Sequence, residues 1–212
     1  MNPTPSLQPD EARVLGTLIE KAQTIPNQYP LTLNGLVVGV NQRNNRSPVV
    51  DLDEERVLRA LDGLRAKGLV RAVSLTGSRV EKYRHVARET LAIGTSELVL
   101  LAELFLRGPQ TSGELRTRAS RMHPLESIET VEAALEAMAA RTPPLVREMP
   151  PSPGTRAPRW VQLLSEGLHP LDAPATRCAA EEPPSDDRLA ALERRVNALE
   201  SELASLRSAL GA

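Results

Sequence analysis

Aromatic side chains are almost missing from this chain of 212 residues: one tryptophan, one phenylalanine and two tyrosines make up 2% of it. A surface that grips single strands by stacking bases on aromatic rings is therefore not expected. Cysteine occurs once, at Cys178, so no disulfide can form within the chain, and no histidine stands near it to activate the thiol. His85, His123 and His169 show no metal-ligand spacing among themselves or with Cys178. There is no glycine-rich phosphate loop, and the carboxylates of Asp53 and Glu54 fall at a helix start, where the helix dipole accounts for them. No cofactor and no metal is expected, and the chain does not read as an enzyme. Apolar runs of about 20 residues, the length of a membrane span, are also missing. The opening Met1-Asn2-Pro3-Thr4-Pro5-Ser6 lacks the basic end and apolar run of a secretory signal. The expectation is a cytoplasmic protein without a membrane partner.

What is present is ordinary in amount and uneven in placement. The chain is 41% apolar and 25% charged, with a net charge of −1. Residues 1–88 carry 13 basic and 9 acidic side chains, 89–165 carry 8 and 9, and 166–212 carry 5 and 9, giving +4, −1 and −4. The basic excess of the first segment suits an anionic partner.

Helical periodicity starts at Gln8-Pro9-Asp10-Glu11, with proline and two acids in a first turn. Val14, Leu15, Leu18, Ile19 and Ala22 form its apolar stripe, and Pro26 ends it. A second helix runs from Thr32 to about Gln42, and Val49-Val50 suits a short strand. A third begins near Asp51, buries Val57, Leu58, Leu61 and Leu64, and ends at Gly68. Two β-branched runs, 69–75 and 80–86, flank a glycine turn and make a hairpin. The same order then returns. Helices are expected from Ser96 to Gly108, Thr111 to Met122 and Ser127 to Arg141; Val131, Leu135 and Met138 match Val57, Leu61 and Leu64, and Trp160 falls where Tyr83 stood. Matched apolar positions in a matched order predict duplication of one unit.

Between the first and second elements of the first unit lie Asn27-Gln28-Tyr29-Pro30-Leu31-Thr32, and after the second comes Asn41-Gln42-Arg43-Asn44-Asn45-Arg46-Ser47-Pro48. Together with Leu15-Gly16-Thr17-Leu18-Ile19-Glu20-Lys21, these strings resemble the signature of the YceH-like family of bacterial proteins, over roughly residues 8 to 165. The family more usually has lysine and serine where this chain has Arg43 and Asn44, which leaves the character of the loop intact. The resemblance implies a pair of winged-helix domains, and no catalytic residue can be carried over from it. The fold expected is mainly α with small β wings: two tandem winged helix-turn-helix domains, at 7–88 and 94–165, plus a C-terminal coiled-coil helix.

The Pro/Ala-rich stretch 166–185 reads as a linker. After it, over 186–211, Leu189, Leu192, Val196, Leu199, Leu203, Leu206 and Leu210 alternate gaps of three and four, a heptad seam. In a parallel pair the flanking positions place Arg188 against Glu193, Arg195 against Glu200 and Glu202 against Arg207, all opposite in sign. A parallel homodimer is expected.

In a helix-turn-helix the start of the third helix approaches the base edges. Here those starts read Asp51-Leu52-Asp53-Glu54-Glu55 and Glu126-Ser127-Ile128-Glu129, and phosphates would repel them. Contact with double-stranded DNA is therefore expected through the loop Asn41, Gln42, Arg43, Asn44, Asn45 and Arg46 and the wing residues Arg79, Lys82 and Arg84, with Arg116, Arg118 and Arg121 as further cations in the second unit. Asparagines in such a loop can equally cap helix ends and brace turns. The alternative is a protein-interaction scaffold or adaptor that uses its acidic third helices. Should Arg43, Arg46 and Lys82 point in unrelated directions, or lie sealed beneath the neighbouring unit, the duplex grip by loop and wing gives way to the adaptor.

Overall fold

The computed structural model describes residues 5–74, 80–151, 157–165 and 167–169. All of them belong to one compact unit, Met1–Ala173. The linker beyond residue 169 and the seam Leu189 to Leu210 lie outside the described residues.

Helix α1 (Pro9–Thr24) starts where the sequence places it: the Glu11 carboxylate accepts the Gln8 backbone N–H at 2.7 Å, which ties down a free amide of the first turn. Its burial exceeds one stripe. All ten residues from Glu11 to Glu20 are buried. Helix α5 (Thr95–Arg107) is buried without interruption from Leu98 to Leu106. These two helices pack on each other, so the core of each half continues into the other as one cluster. Gly16 sits at the crossing: a Cβ there would stand 3.0 Å from Phe105 Cβ and 3.2 Å from the Leu106 side chain. Glycine permits that approach.

Around α1 the first half adds α2 (Leu33–Val40) and α3 (Glu54–Ala66). Thr32 caps α2 by accepting the Gly35 N–H at 3.1 Å, and Asp53 caps α3 by accepting that of Arg56 at 2.8 Å. α2 stops at Val40, before the polar run. In α3, Val57, Ala60, Leu61 and Leu64 are buried, whereas Leu58, expected inside, is 39% exposed because Ala60 takes the inner position. Gly68 follows with φ +69°, the left-handed cap expected of it. The hairpin is β2 (Val70–Val73) against β3 (Lys82–His85), antiparallel. Its third strand is β1 (Leu31–Thr32), which pairs with β3, so the sheet order is β1-β3-β2. Val49 and Val50, expected as a strand, form none.

A short α4 (Ala87–Leu91), absent from the expectation, leads into the second half. Its last carbonyls, Leu91 O and Ala92 O, accept from the Arg141 guanidinium at 2.7 and 3.2 Å. Then come α5, α6 (Ser112–Ala119), α7 (Ile128–Ala139) and the antiparallel pair β4 (Val146–Met149) and β5 (Arg159–Gln162). Gln110 bridges Trp160 through both backbone groups, at 3.2 and 2.7 Å, as β1 does to β3 in the first half. Each half therefore includes a third pairing that the apolar pattern did not reveal. Leu168 and His169 pack on the body, with His169 over Gly108, so the expected linker begins later than residue 166.

Gly16→Val should separate α1 from α5 and lower stability by about 1–3 kcal/mol, the usual cost of overpacking. Urea unfolding measures it.

Candidate nucleic-acid interface

The polar run after α2 is tied into the body residue by residue. Asn41 closes the loop like a latch: its amide nitrogen donates to Leu52 O and its amide oxygen accepts the Leu52 N–H, both at 2.8 Å. Gln42 accepts from Lys21 Nζ at 2.9 Å and donates to Asn44 O at 3.0 Å. Asn45 adopts φ 60°, a left-handed turn that asparagine tolerates, and its side-chain oxygen accepts from the Arg107 guanidinium. Arg43 and Asn44 alone are exposed.

Arg46 departs from the expectation most. Its side chain has 0% exposure and grips the equally buried Glu20 carboxylate through two nitrogens, at 2.6 and 3.2 Å, while also donating to Gly39 O at 2.9 Å. It cannot touch a phosphate from there. Arg46 is thereby removed from any joint grip with the wing.

The reason lies in charges on the two central helices that the sequence reading passed over. Glu20 on α1 and Glu103 on α5 are both buried, and a carboxylate can ionise there only with cations around it. Arg121, which follows α6, spans them, donating to Glu20 at 2.5 Å and to Glu103 at 3.0 Å. Arg107 lies 3.1 Å from Glu103. Burial alone would raise the Glu20 carboxyl, but hydrogen bonds and charge from Arg46 and Arg121 outweigh it and hold it below the ordinary range. Arg13 completes the group without a carboxylate of its own: it donates to Leu106 O at 3.1 Å and Pro48 O at 2.8 Å. Burial and the neighbouring Arg46 bring its guanidinium down to about 10. A signal for this cluster existed: Arg13, Thr17 and Glu20 recur at helical spacing inside otherwise apolar α1, as do Glu103 and Arg107 in α5.

The other cations of the second unit are also engaged. Arg116 donates to Leu125 O and Glu126 O, and Arg118 to Gln110 Oε1 at 2.8 Å. On α3, Arg56 pairs with Asp10 through two hydrogen bonds of 2.9 and 3.0 Å, Arg59 with Glu55, and Arg65 with Asp62. On α7, Glu129, Glu132 and Glu136 are exposed along one face.

The hairpin differs. Arg71 and Arg84 are direct cross-strand partners and both are exposed. Lys82, half-buried, lies two residues from Arg84 on the same face. Tyr83, between them, points inward and donates its hydroxyl to Glu81 at 2.8 Å. Neither arginine, nor Lys82, has an ion pair or side-chain hydrogen bond among the described residues. Like charges directly opposite on a strand pair repel, so on this face positive charge stands without internal compensation among the described residues. Arg79 lies outside the described residues. Among those described, no group of three His, Cys, Asp or Glu side chains could hold a metal ion, and no helix is long and apolar enough to cross a membrane.

Removing one partner of a buried pair leaves the other uncompensated, so Arg46→Ala should cost about 3–5 kcal/mol, whereas Arg43→Ala should stay within about 0.5 kcal/mol. Chemical denaturation of both variants checks this. The depressed Glu20 carboxyl implies stability present above its ordinary pKa, near 4.5, and lost as pH falls through its lower folded value. Glu20→Gln, although less stable at neutral pH, should lose less on acidification than the parent, as thermal midpoints between pH 6 and pH 3 would report.

The family model described as "Protein of unknown function, DUF480" matches residues 7–155. A UPF0502 protein of Geobacter sulfurreducens is 48% identical over 92% of this chain and 88% of its own length. A UPF0502 protein of Burkholderia pseudomallei is 45% identical over 95% of this chain and 85% of its own, and one of Dechloromonas aromatica 44% over 98% and 95%. The matched span takes in α1, the latched loop, the buried ion pairs and the hairpin alike, and on that extent of likeness the chain belongs to the DUF480 family, whose members include these UPF0502 proteins.

Proposed function

We propose that the protein is a non-enzymatic, regulatory binding module of two tandem winged-helix units, an adaptor whose first wing holds the backbone of double-stranded DNA and whose second unit offers an acidic helix to a basic protein partner. The observation that carries the reading is the segregation of uncompensated charge. Cations on α3 and α6, and Arg46 of the polar loop, are paired internally or bound to carbonyls, while Arg71, Lys82 and Arg84 on the wing have no such partner among the described residues. Opposed to this, α7 carries three exposed carboxylates on one face.

Each feature limits the kind of contact. A two-stranded ribbon can lie along a groove with its basic side chains on phosphates, which positions a protein without reading sequence. Base reading by α3 is disfavoured, since Glu54 and Glu55 are exposed at its start. The sealing of Arg46 leaves the wing with few charges, so binding by one protomer is weak and salt-sensitive. A parallel homodimer through Leu189, Leu192, Val196, Leu199, Leu203, Leu206 and Leu210 would put two wings on one duplex and raise avidity, provided the linker spans the distance. The exposed Ile128 beside the α7 carboxylates, 40% accessible, supports a protein contact there.

Two experiments test this reading. Anisotropy with a labelled duplex at two salt concentrations should show Arg71→Ala/Arg84→Ala binding more weakly, with the slope of log affinity against log salt reduced by about 2. Arg43→Ala should change neither much. An unchanged slope in the wing variant would remove the DNA side of the proposal. Sedimentation of the chain lacking residues 186–212 should show loss of the dimer; retained dimer mass would remove the coil.

A further inference from the structure

We propose that the cleft between Tyr29, β3 and α4 binds a small phosphomonoester, of about nucleotide size, as an effector of the wing. The cleft encloses about 360 Å³, within the range of small-molecule sites, and opens where the first half meets the start of α5. Tyr29, Arg84, His85, Arg88, Glu89 and Thr95 line it.

Its chemistry is rich in donors. The Tyr29 hydroxyl accepts the His85 backbone N–H at 2.7 Å, which leaves its own hydrogen to give. Burial keeps that phenol well above its ordinary pKa, so it stays protonated. Burial also lowers His85 to about 4, so its imidazole is neutral at physiological pH. His85 Nδ1 is buried and has no partner. A bare lone pair there costs less than an orphaned N–H, so the proton resides on Nε2, which no described group binds. Arg84 and Arg88 are exposed and, among the described residues, have no ion pair or side-chain hydrogen bond. Arg84, Arg88, the Tyr29 phenol and His85 line the cleft, against the single carboxylate of Glu89. Such a set prefers an oxyanion, and two arginines suit the several oxygens of a phosphate monoester. The volume exceeds a bare phosphate, and the Tyr29 and His85 rings, tilted to each other with centroids 6.0 Å apart, give an organic moiety ring surface to pack on.

The inference stands apart from the DNA reading, although Arg84 borders both surfaces. Occupancy would engage Arg84 and weaken the wing's hold on a polyanion.

The test is isothermal titration of the full chain, without nucleic acid, using ribose 5-phosphate, AMP, adenosine and inorganic phosphate. The two esters should bind about tenfold or more tightly than phosphate or adenosine. Arg88→Ala, an exposed and unpaired site whose loss leaves folding intact, should weaken the esters by about tenfold or more. Glu89→Gln should tighten them, and Arg71→Ala, which reports on the wing alone, should leave them unchanged. No heat from either ester at millimolar concentration, or equal binding by the parent and Arg88→Ala, would overturn the proposal. So would binding of a 5′-phosphorylated oligonucleotide with none of either ester, which would make the cleft part of a nucleic-acid surface.

Discussion

Two buried carboxylates, Glu20 on α1 and Glu103 on α5, set the terms for the rest of this molecule. They lie on the two packed central helices, one in each half, and Arg121 holds both. Arg46 reaches in from the loop after α2 to complete the neutralisation of Glu20. An ion pair of this kind is weak evidence of stability beside an apolar alternative of equal volume. It does fix geometry: each guanidinium must arrive in register, so α1, α5, the end of α6 and the polar loop hold one arrangement. The apolar cluster supplies the general driving force, and the ions specify how the two halves meet.

That constraint reassigns the residues that look most like a binding site. A run with two arginines and four amide side chains reads as an exposed patch only while its neighbours are unknown. In the folded chain Asn41 latches to Leu52, Gln42 to Lys21, Asn45 to Arg107 and Arg46 to Glu20. The hairpin instead carries charge without a partner among the described residues, on the opposed Arg71 and Arg84 and on Lys82. The basic excess of the first 88 residues thus divides into an inward part with a structural task and an outward part that includes the ribbon.

Much of the architecture was legible in the sequence because it rests on local signals. Proline and acids at the start of α1, the caps Thr32, Asp53 and Ser127, and the left-handed Gly68 act within a few residues of themselves. The like order of elements in the two halves was legible because apolar positions recur in order. What escaped depends on contacts between distant segments. β1 is two residues long and exists only because β3 offers it an edge. The burial of α1 on every side requires α5, some 80 residues on, and the pairing of Glu20 with Arg121 spans a similar gap. Leu58 and Ala60 exchange places because the stripe on α3 admits either, and tertiary packing chose the smaller. The like-charged Arg71 and Arg84 could be matched only once the hairpin register was fixed.

The most direct measurement of the central claim is a double-mutant cycle on Glu20→Gln and Arg46→Met, followed by urea unfolding at neutral pH. If the ion pair is the strut that binds the polar loop to the inter-half seam, the two changes should couple by about 2 kcal/mol or more, toward the upper end for residues in contact. Strictly additive losses, or an Arg46→Met variant as stable as the parent with Glu20 still charged, would contradict it.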